Sequence, residues 1–393
     1  MSPAQRLLII AGLWELAMAW ASSFVGAWFW HIRTAVSTII FYYLLWFLVM
    51  GLVYGWAAMT PHSLRYQWLR GTGIAVAITY LGLLTVLGPA SGHLVWVIAA
   101  LTGFSSGFYW LSLYVGGAAT VPPQKADWYN AWIGIVENVF AIVGPPVAAG
   151  IIAAFSSGVG YRVVFGLAMA ILAGALVFGL EPFSPSTASA SRSRTTPPKG
   201  AWHDVRWSMA ALGLRDGILF FVPGLYLFIM TKSPLWLGWY LAIQAGVQTL
   251  AFWVLAHRSQ KGSTKTRRRT ALLMSVVSGG IFILLPTIPG VLILGVLTSV
   301  AYPIYKVQIE GHALAVIQET SQHSADQVGL TSMKELWLNS GRMMSFLIFL
   351  GFLTIGPSAL AVMRIILALW PLTTLLIHIA SRTSAKKNNA SSA

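Results

Sequence analysis

Long apolar runs separated by short polar or Pro/Gly-bearing breaks dominate the 393-residue chain. A helix needs about 20 mainly apolar residues to cross the hydrocarbon core of a bilayer. By that measure the first half offers spans at 7–29, 36–59, 72–90, 92–116, 130–154 and 160–180. The second half offers 208–230, 234–256, 270–288, 290–309, 338–356 and 358–380. LGPASG separates the third span from the fourth, and TIPG the ninth from the tenth; both predict tight outer hairpins. Between the halves runs EPFSPSTASASRSRTTPPKGAWHDVRW, rich in Ser, Pro, Thr and Arg, which cannot bury apolar surface and predicts a solvated linker. The pattern predicts an all-α membrane protein of twelve transmembrane helices in two pseudo-symmetric six-helix bundles. Residues 1–181 form the first bundle, 182–207 a cytoplasmic linker, 208–381 the second bundle and 382–393 a cytoplasmic tail.

Composition removes the soluble alternative. The chain is 57% hydrophobic and 9% charged, against about 25% charged in an ordinary soluble domain. Cysteine is absent, so disulfides, thiolate metal sites and cysteine nucleophiles drop out. The N-terminus resembles a signal peptide, with Ala19-Trp20-Ala21 imitating a cleavage site. Glu15 interrupts the apolar region, however, and apolar sequence continues to Trp30, which favours an uncleaved first helix.

The formal charge of +15 could point to nucleic acid in a soluble chain; its placement points to topology. With both termini cytoplasmic, three of the 25 basic residues fall in outer loops (Arg33, Arg162, Lys232) and three within helices (Arg215, Arg342, Arg364). The remaining 19 lie on the inner side, as the positive-inside rule requires of an inner-membrane protein. Arg267, Arg268, Arg269 and the Lys386-Lys387 tail then face anionic lipid. Trp28, Trp30, Trp68, Trp128, Trp202 and Trp207 near span ends predict an interfacial belt.

A shift of 201 residues lays Gly12-Leu13-Trp14-Glu15 on Gly213-Leu214-Arg215-Asp216 and Asn138 on Asn339. Matching acids in the first helix of each half and matching asparagines in the fifth favour a duplicated transporter. In such folds the substrate site lies between the repeats near the midplane.

Charged groups inside membrane helices cost about 2.5–3.5 kcal/mol on insertion scales and are functional candidates by default. Glu15 and Asp216 head that set, as groups that could carry a proton, face a cation, or be held by hydroxyls for packing. Arg215 and Asp216 are neighbours that point about 100° apart on a helix, so Arg215 is expected to snorkel or bond another helix. On the fifth span Asn130, Gly134, Glu137 or Asn138, Ala141 and Pro145 share a face. Its Gly144-Pro145-Pro146 predicts a bend and a moving element, or a helix packed closely for stability. On the eleventh span Glu335, Asn339 and Arg342 stand at i, i+4 and i+7. Arg342 could hold a substrate anion, lock a cytoplasmic gate or snorkel. Lys306 and Glu310 are spaced for a local ion pair, Arg364 for reaching outward, and Gly103 and Gly107 for helix packing. His31, His93 and His378 sit at span ends without metal-ligand spacing.

Twelve spans, a central cytoplasmic linker and two related halves resemble the major facilitator superfamily over essentially the whole chain. Gly134 through Gly144-Pro145 to Gly150 resembles the fifth-helix glycine-proline motif of its antiporter branch. Glu335 to Arg342, with Asn339-Ser340-Gly341-Arg342 as core, resembles the eleventh-helix start of a set of bacterial members. The resemblance implies that the first, fourth, seventh and tenth helices line a central cavity and that Glu15 and Asp216 lie in its walls. Two departures speak against the mechanism of proton-coupled drug exporters in that family. The loop TPHSLRYQWLRG carries Arg65 and Arg70 but no acid, and the fourth helix has no arginine.

The sequence therefore predicts a secondary transporter, a monomer in the cell membrane, exporting a small amphipathic or apolar organic solute against protons. Glu15, Asp216, Tyr109, Trp110, Asn138 and Asn339 are the expected substrate and proton residues. Gly134, Glu137, Gly144, Pro145, Glu335 and Arg342 are the expected gating residues. Neither cofactor, metal nor nucleic acid is expected. A lipid-translocating transporter of the same fold and a non-transporting sensor or scaffold are the alternatives. A membrane enzyme would need a convergent set of acids or histidines, which the sequence does not offer.

Overall fold

Proline and glycine set the helix boundaries in the computed structural model, which describes residues 3–60, 65–120, 126–155, 158–179, 199–258, 264–321, 324–356 and 358–379. Twelve α-helices lie among the described residues. The first six are α1 (Pro3–His31), α2 (Val36–Met59), α3 (Tyr66–Leu87), α4 (Val95–Thr120), α5 (Ala126–Ala154) and α6 (Val159–Gly179). The others are α7 (Lys199–Thr231), α8 (Pro234–Arg258), α9 (Thr264–Leu284), α10 (Ile288–Thr320), α11 (Ser324–Ile355) and α12 (Ala359–Leu369). α8 opens on Pro234 and α10 on Ile288-Pro289, where the missing proline N–H is no loss. α3 stops at Gly88, whose φ of 53° suits glycine, and the expected LGPASG turn is a 3-10 helix over Gly88–Leu94. α12 starts under a cap: the Ser358 hydroxyl accepts from the Ala361 N–H at 3.2 Å.

Nine stretches among the described residues are long and apolar enough to cross a membrane, one of them (Gln67–Gly117) spanning both α3 and α4. α8 and α9 are not among them. α9 begins at Thr264, with Lys265 and Arg267 to Arg269 in its first six residues. Three helices outrun their expected spans: α7 begins nine residues earlier than 208, α10 runs eleven residues past 309, and α11 begins fourteen before 338. Those extensions carry the polar residues Asp204, Glu310 and Lys334, which lie outside the spans expected from sequence. Most of the expected linker and the tail beyond Ile379 lie outside the described residues.

The chain divides into two compact units. Met1–Thr195, with Ser233–Ala242 and Ser321–Met333, makes the first. In it α4 packs against α2 and α3, α6 against α3, and α1 against α5 and α6. Helices in lipid gain little from apolar burial and associate through close packing. α4 shows how: a methyl group at Gly103 would lie 2.5 Å from the Trp46 carbonyl oxygen, and one at Gly107 2.9 Å from Val53 Cβ. Arg70, 2% exposed, donates to the Gly179 carbonyl at 3.1 Å, so it covers the C-terminal end of α6. At the other end Trp28, expected at the interface, is 1% exposed and donates to Ser91 at 3.1 Å. Trp202 is likewise buried, whereas Trp68 and Trp207 are exposed as a belt requires.

The second unit comprises Thr196–Lys232, Ile243–Thr320 and Lys334–Ala393. α10 packs on α9 and α7, and α12 on α9 and α7. α7 and α11 approach through glycine: side chains at Gly213, Gly217 and Gly341 would overlap the Leu338 carbonyl, the Ser345 hydroxyl and the Ala210 carbonyl respectively. Arg364, expected to reach outward, donates to the Tyr226 hydroxyl at 3.2 Å, which itself donates to the Pro286 carbonyl.

Candidate functional site

In the first unit two acids from different helices come within electrostatic reach. α1 and α5 are held together by small residues: Gly12 rests against Val136 and Phe140, and a methyl at Gly144 would lie 2.5 Å from Ala19 Cβ. Glu15 sits on α1 between these contacts and acts on Glu137 of α5. Among the described residues neither a hydrogen bond nor an ion pair satisfies the Glu15 carboxylate, which is half-buried. One residue away Trp14, 2% exposed, stacks flat on fully buried Tyr109 of α4, with ring centres 3.7 Å apart and planes within 8°. Trp110 meets the Tyr109 ring edge-on at 5.8 Å. Tyr109 is thus a buried packing partner of Trp14 between α1 and α4.

The remaining α5 residues separate. Asn138 donates to the carbonyl of Gly134 in its own helix at 2.6 Å. Gly144 is the tight contact, but a side chain at Gly134 or Gly150 would meet nothing within 4 Å, so close packing is not their role. Helix α5 runs unbroken through Pro145 and Pro146. Within the same unit Gly238 of α8 abuts the Pro145 carbonyl, where a methyl would lie 2.7 Å away.

In the second unit the expected divergence of Arg215 and Asp216 gives way to pairing. Arg215 Nη1 donates to Asp216 Oδ1 at 3.1 Å, and Nη2 donates to the Thr298 carbonyl of α10 at 3.0 Å. The two are 3% and 1% exposed. A long arginine folded back on its neighbour compensates charge that neither residue can leave to water. Asp216 Oδ2 and Arg215 Nε are buried without a hydrogen-bond partner. Arg215 also lies 5.1 Å from the centre of the Tyr302 ring, and Lys306 5.4 Å from the same ring. Arg342 and Lys306 both act on Asp216.

Below this cluster Lys334 bridges two acids. Its ammonium donates to Glu310 Oε2 at 2.6 Å and pairs with Glu335 Oε1 at 3.0 Å. Glu310, expected to pair locally with Lys306, therefore also ties α10 to α11. Asn339 is fully buried and donates to the Glu335 carbonyl at 2.8 Å, with its Oδ1 unsatisfied. Glu335 and Asn339 are thus joined to the triad, and Arg342 to Asp216.

A small open recess lies beside Arg215, lined by Arg215, Leu219 and Phe220 of α7, Gln244 and Gln248 of α8, and Thr298, Ser299 and Tyr302 of α10. The two glutamines, Ser299 and Tyr302 were missed from sequence. Their signal was available: Gln244 and Gln248 stand four apart in an otherwise apolar helix, as do Thr298 and Tyr302. No cluster of three or more metal-ligating side chains occurs among the described residues.

Comparison with known proteins follows the same lines. No family model matches the chain. The uncharacterized protein YqgE of Bacillus subtilis is 27% identical over 354 residues, covering 88% of this chain and 81% of its own. An uncharacterized Geobacillus stearothermophilus protein encoded in the sodM 3′ region is 25% identical over 159 residues, 40% of this chain and 74% of its own. Among solved structures, a POT family transporter with a thioalcohol-conjugated peptide bound superposes at TM-score 0.71 with 12% identity, over 97% of this chain and 96% of its own. A bacterial homologue of the iron transporter ferroportin, inward-facing, gives 0.68 with 14% identity over 96% and 98%. The nucleoside transporter NupG gives 0.67 with 13% identity over 97% and 99%. The chain shares its fold with these three transporters, as the resemblance carried by the sequence leads one to expect.

Proposed function

We propose that this chain is a secondary transporter of the inner membrane that exports a small amphipathic organic solute in exchange for protons. Its twelve helices act as two six-helix halves, residues 1–181 and 208–381, that alternate access with both termini in the cytoplasm. The observation that carries the reading is the placement of Glu15 opposite Glu137 across α1 and α5. Two like charges drawn out of water repel strongly, and one proton held between them removes the repulsion. A pair of acids that can gain and lose a proton suits coupling. Trp14 stacked on Tyr109 ties α1 to α4 one residue from Glu15. Transporter function in proteins of the same fold agrees with this reading.

Everted vesicles holding the protein and a pH-sensitive dye test it. A panel of amphipathic solutes is added in turn to vesicles with an acidic lumen. At least one solute should evoke proton release that vesicles without the protein do not show. Silence across the panel from correctly inserted protein contradicts proton-coupled export.

A further inference from the structure

We infer that the arginine-bearing end of α9 holds the phosphate of an anionic phospholipid, with Arg269 as its cation and the acyl chains lying along the exposed apolar stripe of the same helix. This goes beyond the transport reading above and is independent of it, since it needs α9 to meet lipid and nothing to be transported.

Three observations converge. The first is the stripe. Along α9 the residues Thr266, Arg269, Leu273, Val276, Val277 and Leu284 are exposed at helical spacing, while Ala271, Ser275, Ser278 and Phe282 are buried. In a chain that spans a bilayer, an exposed face of Leu and Val meets acyl chains. Arg269 stands at the end of that face. The order, a cation followed by an apolar run, is that of a phospholipid read from its phosphate to its tails.

The second is orientation. The Tyr305 hydroxyl of α10 donates to the Arg268 carbonyl at 3.1 Å, and Arg268 Nε donates to Gln308 Oε1. These bonds turn Arg268 toward α10, and Arg269 follows about 100° further round the helix, away from it. Glu310 stands about 200° round α10 from Gln308 and is held by Lys334 at 2.6 Å, so that acid is turned from α9.

The third is depth and charge. From Arg269 to its last residue, Leu284, α9 rises about 22 Å, against a hydrocarbon core of roughly 30 Å. A helix this short draws its flanking cation to the edge of the core, where the side chain snorkels to the phosphates. Lys265 and Arg267 to Arg269 also crowd the first six residues of α9, with no acid in the first turn, against the sense that the helix dipole favours. An anion beside them offsets that conflict. A guanidinium binds phosphate through charge-assisted hydrogen bonds, which are about twice as strong as neutral ones. A zwitterionic lipid brings its own ammonium to the same place, so a lipid of net negative charge is favoured.

The test uses the purified full-length protein in neutral detergent, with bound lipid counted by native mass spectrometry. Dioleoylphosphatidylglycerol is titrated against dioleoylphosphatidylcholine, which has the same acyl chains and phosphate but no net charge. Phosphatidylglycerol should bind about fivefold more tightly or better, the factor expected of one basic residue at a headgroup. Arg269→Gln should erase about that factor and leave thermal unfolding in lipid-free detergent unchanged. A Lys386→Gln, Lys387→Gln control removes two cations elsewhere in the chain and should leave phosphatidylglycerol binding as it was. Equal affinity for the two lipids, or a preference that survives Arg269→Gln, overturns the assignment. So does an equal loss in the tail control, which would make the attraction a diffuse one with no site. Displacement of phosphatidylglycerol by an equal concentration of inorganic phosphate also overturns it, by showing that the end of α9 takes the free ion and not a lipid.

Discussion

Replacing Glu15 by glutamine abolishes solute-evoked proton movement and leaves a folded, membrane-inserted protein. Glutamine keeps the size of the side chain and removes only its charge and its exchangeable proton. Nothing among the described residues pairs with that carboxylate, while Glu137 faces it across the α1–α5 contact. The substitution therefore breaks no ion pair and relieves a repulsion, and thermal unfolding should shift upward or not at all. Flux should fall to the level of vesicles without the protein. Glu137→Gln should retain part of the flux, because Glu15 can still bind and release a proton alone. Undiminished proton-gradient-driven flux in Glu15→Gln would remove Glu15 from the mechanism.

Lys334→Ala has the largest expected effect on stability. Lys334 holds Glu310 at 2.6 Å and Glu335 at 3.0 Å, with side-chain exposures of 10%, 30% and 7%. Removing the ammonium leaves two carboxylates close together and mostly out of water, and breaking a buried pair from one side costs about 3–5 kcal/mol. The Glu310→Gln, Glu335→Gln, Lys334→Met triple variant removes all three charges and should recover most of the loss. That contrast separates unpaired charge from lost packing. Thermal unfolding in detergent reads it, and an unfolding temperature in Lys334→Ala equal to that of the unaltered protein would show that the triad holds nothing together.

Much of the fold was legible in hydropathy alone, because a membrane helix must be apolar along most of its length. α2 was predicted residue for residue, and α1, α5 and α6 within a few. The failures share a cause. α7, α10 and α11 continue into stretches whose polar residues find partners in the folded chain. Glu310 and Lys334 are poor membrane residues singly and reasonable helix residues once paired with each other, and Asp204 lies beside His203. The same blindness hid the second-unit cluster. Arg215 and Asp216 were visible as intramembrane charges, but helix geometry argued against pairing, and only the α7–α10 contact that places Thr298 under Nη2 shows why the arginine turns back. The interfacial reading of Trp28 failed because Ser91 lies opposite its indole N–H, a tertiary contact unrelated to span position. At Gly134 a motif-like glycine lines open space, whereas Gly213 and Gly341, equally available in sequence, form the tight crossing.

Two-sided accessibility tests the central claim most directly, and the absence of cysteine in the chain makes it clean. A single Asn138→Cys substitution places a thiol on α5 beside Glu137. A membrane-impermeant maleimide is then applied to right-side-out and to everted vesicles, with and without a proton gradient. The account predicts labelling from both sides, with the balance between them shifted by the gradient. Labelling confined to one side under every condition would contradict a proton-driven change of access.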